Sequence, residues 1–245
     1  MIDALDHLTL RASFRAGAVG AYETLLGRRA DDGRLRVGNV GLAIEDDAST
    51  ARLSSMVFTT ASLEKAQRLL ARRAVIAERQ GDRVMLSTRS THGVPIALIE
   101  VKDKTMPSPL KDSSEAASIA ALDHVVIRSP NPERAIALYA GRLGLDLRLD
   151  RSNPDWDSRL LFFRCGDLVV EIAHDLKKGV SDAPDELWGL SWRTPDVARC
   201  NERLKKAGVE VSAPRGGRRP GTQVFTAQSH TANVPTIVIG GLSRW

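Results

Sequence analysis

The sequence predicts an α+β fold: four strand–helix–strand–strand–strand modules in tandem, the first truncated, forming two curled mixed sheets. Three observations carry that expectation. Ala4-Leu5-Asp6-His7-Leu8-Thr9-Leu10-Arg11 returns as Ala121-Leu122-Asp123-His124-Val125-Val126-Ile127-Arg128, with five of eight positions identical. The same shift of 117 residues, held without gaps, brings Tyr22 onto Tyr139, Leu26 onto Leu143 and Gly27 onto Gly144. Near the end of each half, the run Thr91 to Ile99 matches Thr231 to Ile239 at a shift of 140 residues, with Val-Pro at its centre. Self-similarity at a fixed shift marks duplicated supersecondary units. Gly38 and Gly166 already align at a shift of 128, so most of the extra residues of the second half enter early. Residues 1–101 and 119–245 are therefore read as homologous domains of two modules each. The join at 102–118 carries Pro107, Ser108, Pro109, Ser113 and Ser114, the composition of a linker.

Each element follows from local pattern. The first module opens on the strand that bears His7, and between its helix and Gly38 there is little room for a full second strand. The second runs from a strand at Leu53 through a helix with Leu63, Ala66, Leu69 and Leu70 to a strand ending at Ile99. In the third, Leu122 to Arg128 is a short apolar, β-branched run, which reads as a buried strand. Asn131 is placed to cap a helix with Pro132 at its first position. Ala135, Leu138, Tyr139 and Leu143 recur at helical spacing until Gly144 stops the helix. Strands are expected at 145–149, 159–164 and 168–173, with Gly166-Asp167 as a hairpin turn. The fourth module repeats the order. A strand at 190–193 precedes a helix capped by Thr194 or Asp196, and strands follow near 209–212, 222–227 and 234–239.

Composition narrows the function classes. The 245 residues are 42% hydrophobic and 27% charged, a globular balance. No apolar run approaches a membrane span, and the acidic, patterned start is unlike a signal peptide. Two cysteines, Cys165 and Cys200, cannot build a disulfide framework, so a cytoplasmic location is expected. An aromatic content of 4% is thin for stacking nucleic-acid bases, and the +5 net charge is scattered. Its densest cluster, Arg215-Gly216-Gly217-Arg218-Arg219, reads as a solvated loop, or as a lure for a small anion. The partner expected is a small molecule, not nucleic acid or membrane; a homodimer is compatible with the chain.

The run Leu122-Asp123-His124-Val125-Val126-Ile127, followed by Tyr139-Ala140-Gly141-Arg142-Leu143-Gly144-Leu145, resembles the opening of the vicinal oxygen chelate superfamily. That group is also called the glyoxalase, bleomycin-resistance and extradiol-dioxygenase group. Leu168-Val169-Val170-Glu171-Ile172-Ala173-His174 resembles its final strand, whose Glu binds metal. The resemblance implies a divalent metal held in a cavity at four positions on first and last strands. There the metal polarises vicinal oxygens of a substrate as a Lewis acid. Imidazole and carboxylate ligands suit Fe, Zn, Mn or Ni alike.

The chain keeps part of that set. His124 and Glu171 match two metal positions, and Glu171 is also the catalytic candidate, as ligand or as general base. Gly189 and Ile237 fall at the other two positions of that half. In the first half His7 matches, but Ala43, Ser55 and Ala97 fill the rest, and Glu45 lies two residues beyond Ala43. His92 and His230, in the loops before the last strand of each half, are secondary candidates beside His7 and Glu45. For His7, His92 and His230 a structural or solvated role is the competing reading. His174, three residues from Glu171, is expected on the opposite strand face in a surface role. Arg164, Trp192, Arg193 and Gln223 are the substrate-binding candidates, because their strands are expected to curl round the cavity. Trp156, Phe162, Phe163 and Trp188 could line the same pocket, and the cysteines read as packing residues.

The resemblance leaves two main functions open. One is a metal-dependent lyase, isomerase or dioxygenase acting on a small oxygenated metabolite, anionic or neutral. The other is a non-catalytic binding protein of the bleomycin-resistance type that has lost its metal site. A third reading makes the first half a structural support.

Overall fold

The computed structural model describes residues 1–47, 50–101 and 117–241. Most of the expected linker, 102–116, lies outside them. The first half contains β1 (Ala4–Ala12), α1 (Arg15–Leu26), β2 (Arg34–Val37), β3 (Val40–Asp46), β4 (Arg52–Thr60), α2 (Leu63–Arg72), β5 (Ala77–Gln80), β6 (Arg83–Leu86) and β7 (Ile96–Glu100). The second contains β8 (Ala121–Arg128), α3 (Pro132–Ile136), β9 (Asp146–Asn153), β10 (Ser158–Cys165), β11 (Leu168–Asp175), β12 (Glu186–Arg193), α4 (Val197–Lys206), β13 (Arg215–Gly216), β14 (Gln223–Ala227) and β15 (Thr236–Gly240). They form two mixed sheets, one from each half. The seven-stranded sheet runs β2-β3-β1-β4-β7-β6-β5, and the eight-stranded sheet runs β13-β14-β15-β12-β8-β11-β10-β9. In each, the strand that opens a module after the first pair of hairpin strands lies parallel to the last one: β4 with β7, β12 with β15. Among the described residues, no helix is long and apolar enough to cross a membrane.

The local signals explain the helices. Asn131 accepts from the backbone N–H of Arg134, with Pro132 opening α3. Asp196, rather than Thr194, caps α4 by accepting from Arg199 N–H, and Ser62 caps α2 by accepting from Lys65 N–H. The helix carrying Tyr139 widens into a π-helix over Ala137–Arg142 before Gly144 ends it at φ +75°. A π segment spreads one turn over more residues than sequence spacing can announce. The first module has three strands, β1 to β3, as its short sequence required. In the fourth module the strand expected at 209–212 is absent. Val211 makes a single bridge to Ala227, and the edge is instead the two-residue β13.

Compactness divides the molecule differently from the sheets. Among the described residues, one compact unit comprises 1–7, 54–101 and 125–187, and the other 8–47, 50–53, 117–124 and 188–241. Each unit thus combines a module from each half. In the first unit, Arg73 at the end of α2 donates to the Arg142 carbonyl (2.9 Å), where the π-helix ends. The Arg134 guanidinium and the Ser129 hydroxyl both donate to Asp185 Oδ1, at 2.7 and 2.8 Å, and the Asp185 side chain is fully buried. In the second unit, Arg203 of α4 donates to the Thr24 and Leu25 carbonyls at the end of α1 (3.2 and 2.9 Å). Its Tyr22 hydroxyl, fully buried, donates to the Thr231 carbonyl at 3.0 Å. Cations at helix C-termini satisfy carbonyls left without an intrahelical partner and oppose the dipole.

Candidate functional site

Alternation along a strand sends successive side chains to opposite faces. On β14 and β15 the faces can be told apart, because a Cβ at Gly240 would stand 2.6 Å from Val197 Cγ2 of α4. Gly240 therefore faces the helix, together with Gln223, its partner in register. Val238 pairs with Trp192 on that same side, and both are fully buried. Ile237 and Ile239 point to the other face, where they pair with Ser191 and Arg193 of β12. Of the four substrate-binding candidates, Arg193 thus lies on the face away from α4. Trp192 and Gln223 lie on the helix side. Arg164 is exposed at the end of β10 and donates to the Gly166 carbonyl at 3.3 Å.

The second compact unit builds a polar constellation around His124. Asp123 is buried, with 2% of its side chain exposed, and its Oδ2 lies 2.8 Å from His124 Nδ1. A carboxylate only accepts, so Nδ1 carries the ring proton and Nε2 is left as the basic nitrogen. This carboxylate–imidazole pairing fixes the tautomer and ring orientation of metal-bound and acid–base histidines alike. Arg193 reaches the same place. Its Nη2 donates to the Leu122 carbonyl at 3.1 Å, and its Nε lies 3.9 Å from Asp123 Oδ1. Glu171 belongs to the first compact unit, where it is half-buried on β11 and pairs in register with Phe162.

The first half repeats the pair without its surroundings. His7 Nδ1 lies 2.6 Å from Asp6 Oδ2, but 21% of the Asp6 side chain is exposed. Glu45 is drawn to Arg11 (3.6 Å) in a half-exposed ion pair. Elsewhere, His92 and His230 sit in loops at positive φ, 55° and 60°. Burial and the nearby Arg134 lower the basicity of His92, and its carbonyl accepts from Asp185 N–H at 2.7 Å. The His230 ring meets the Ser229 hydroxyl at 3.0 Å. His174 does lie on the face opposite Glu171, but the surface role expected for it is wrong. It is 4% exposed and its Nδ1 bonds the Ser129 carbonyl at 3.0 Å. A strand face packed under α3 is core, so a histidine there is held by backbone instead of water. Both cysteines are buried packing residues, and burial pushes the Cys165 thiol up to about 12.

The donor set does not fit a four-ligand metal site. Gly189 and Ile237 offer no donor, and a Cβ at Gly189 would already stand 2.9 Å from the Pro235 carbonyl oxygen. Ala43, Ser55 and Ala97 leave His7 equally short of imidazole or carboxylate partners. Among the described residues, no three His, Cys, Asp or Glu side chains gather as a metal cage. Asp123, Asn39 and the Arg134–Asp185 pair had gone unassigned by sequence reasoning. The repeated Asp-His dipeptide was a signal for the first; the others join residues too distant in sequence to leave one.

Comparison with known proteins adds four observations. Residues 123–226 match the family model of the Glyoxalase/Bleomycin resistance protein/Dioxygenase superfamily. An ethylmalonyl-CoA/methylmalonyl-CoA epimerase from Cereibacter sphaeroides is 27% identical over 100 residues, 38% of this chain and 75% of that protein. Among solved structures, the Mn(II)-bound glyoxalase from Novosphingobium aromaticivorans superposes with a TM-score of 0.75 at 13% identity, covering 99% of this chain and 83% of the other. The 2,3-dioxygenase LapB from Pseudomonas sp. KL28 gives 0.70 at 16% identity, covering 100% and 95%. At such identities the structural likeness is one of fold.

Proposed function

We propose that the chain, whose residues 123–226 match the glyoxalase/bleomycin resistance protein/dioxygenase superfamily, is an isomerase- or lyase-type enzyme of that group using His124 for proton transfer. Its substrate is a small oxygenated metabolite with an acidic carbon beside a carbonyl. The observation that carries this reading is the 2.8 Å bond from His124 Nδ1 to the buried Asp123. It fixes the ring orientation for Nε2 to take a proton from carbon and return it, and it stabilises the imidazolium formed in between. The family resemblance marks Glu171 as a metal ligand; here it is proposed instead as a general base. The epimerase relative supports the reaction class, since an epimerase must move a proton on and off carbon. No step is routed through Fe, Zn, Mn or Ni, because Gly189 and Ile237 stand where two ligands would be needed.

A second reading, a non-catalytic binding protein, draws on those same two positions. Deuterium exchange separates the two. The protein is incubated in D2O with methylmalonyl-CoA and a panel of small α-hydroxy ketones, and exchange at carbon is followed by mass spectrometry. Exchange that falls by about 10²-fold or more in His124→Gln, and falls in Glu171→Gln, supports the enzyme. Binding without exchange makes it a binding protein. Exchange untouched by His124→Gln removes His124 from the role.

A further inference from the structure

We propose that Asn39, a residue of the first half, is a positioning residue for His124 in the second half. The inference rests on the proton-transfer role given to His124, and its test has a readout independent of activity. Asn39 sits in the turn between β2 and β3. Its Nδ2 donates to the Leu122 carbonyl and its Oδ1 accepts from the Leu122 N–H, both at 2.9 Å. One carboxamide therefore holds both polar backbone groups of the residue that precedes Asp123. Only a side chain with a donor and an acceptor side by side can do this. The Leu122 carbonyl takes a second bond from Arg193 Nη2, the guanidinium that also stands beside Asp123. Asn39, Leu122, Arg193, Asp123 and His124 form one connected polar chain within a single compact unit.

The turn is shaped for this docking. Gly38 adopts φ +50°, and a Cβ there would stand 2.3 Å from the Ala120 carbonyl oxygen and 3.0 Å from Ala121 Cβ. Glycine is needed on both counts, for the left-handed backbone and for the close approach. The repeat supplies a built-in contrast. Gly166 faces the start of β1 in the same way but less tightly, its absent Cβ 3.2 Å from the Asp3 carbonyl oxygen and from Ala4 Cβ. The residue after it is Asp167, which has no donor when ionised and cannot reproduce the double bond made by Asn39. In place of Arg193 the first half has Thr59: Asp3 N–H donates to the Thr59 carbonyl as Ala120 N–H donates to the Arg193 carbonyl. The Thr59 hydroxyl stays with the Ala4 backbone. The two histidines share a dipeptide, yet among the described residues the Asn–Arg clamp stands at His124, with Asp167 and Thr59 in the equivalent places at His7.

The test compares the two histidines in one molecule. Imidazole ¹⁵N–¹H correlation spectra are recorded for the full chain and for Asn39→Ala, Asn39→Asp and Arg193→Lys, with His7→Gln and His124→Gln giving the assignments. The expected result is that Asn39→Ala shifts the His124 ring signals and erodes its Nδ1–H tautomer, leaving those of His7 in place. Asn39→Asp, which keeps the acceptor and loses the donor, should do so more mildly and serves if the alanine variant does not fold. In the exchange assay the same variants should lose about tenfold in kcat with little change in KM. Identical His124 signals in both Asn39 variants would overturn the proposal, as would equal changes at His7 and His124, which would mean general loosening. If the NMR result holds while the parent protein shows no exchange, the positioning role stands and the enzymatic reading fails.

Discussion

His7 and His124 occupy the same place in a repeated module, and each ring leans on the aspartate before it, at 2.6 and 2.8 Å. They differ in what stands around the pair. Asp123 is buried beside Arg193, whereas Asp6 is one-fifth exposed and the residue equivalent to Arg193 is Thr59, whose hydroxyl bonds the Ala4 backbone. Burial strengthens a charge-assisted hydrogen bond and keeps water from its carboxylate, so the two pairs differ in the exposure of the aspartate more than in the length of the bond. The repeated tyrosines diverge in the same manner. Tyr22 donates to the Thr231 carbonyl. The Tyr139 hydroxyl, equally buried, has no hydrogen-bond partner, nor do Asp185 Oδ2 and Arg134 Nε in the same unit. Burial, with the Asp185 charge adding, pushes the Tyr139 hydroxyl far above its ordinary range. Duplication thus preserved the modules while polar satisfaction drifted apart between them.

That contrast sets the size of three expected effects on stability. The largest belongs to the Arg134–Asp185 pair, because removing one partner of a buried ion pair strands the other charge. Asp185→Ala should cost about 3–5 kcal/mol in urea unfolding, far more than a surface carboxylate such as Asp146. A loss under ~1 kcal/mol would mean the pair is not buried as described. The tyrosines come next. Tyr22→Phe loses a made hydrogen bond and leaves the Thr231 carbonyl without it, a cost of about 1–2 kcal/mol. Tyr139→Phe removes only an unpartnered hydroxyl and should be neutral or slightly stabilising. Equal losses at the two positions would erase the distinction between the units.

The smallest effect concerns pH. His92 binds its proton less readily when folded than its ordinary value of 6.5, chiefly through burial and the neighbouring Arg134. The unfolded chain therefore holds more protons in the window below that value. Stability is full above it and falls with acidification until the folded group is protonated too. His92→Asn keeps a residue that tolerates φ +55°. It should shrink the fall in Tm between pH 7.5 and 5.5, while an unchanged slope would assign the pH dependence to other groups.

Much of the fold could be read from the chain because duplication exposes it. The Asp-His strand, the Tyr-x-x-x-Leu-Gly helix end and the Val-Pro strand start each occur twice, and two mixed sheets follow. The strand expected at 209–212 failed because apolar residues alone do not supply a ladder; after α4 the chain offers Val211 only one bridge. His174 was misjudged because its burial depends on α3 packing over β11, which the strand's own alternation does not reveal. That Gly189 and Ile237 carry no metal-donating group is plain from the residues themselves, aligned position against position. The clamp on Leu122 was not, since Asn39 acts across 83 residues and an Asn after a Gly reads as ordinary turn chemistry.

The most direct test of the central claim measures deuterium exchange into methylmalonyl-CoA by the parent protein, His7→Gln and His124→Gln, under one set of conditions. The account predicts parent-like exchange in His7→Gln and a loss of about 10²-fold or more in His124→Gln. Exchange that survives in His124→Gln, or that is lost equally in both variants, would contradict it.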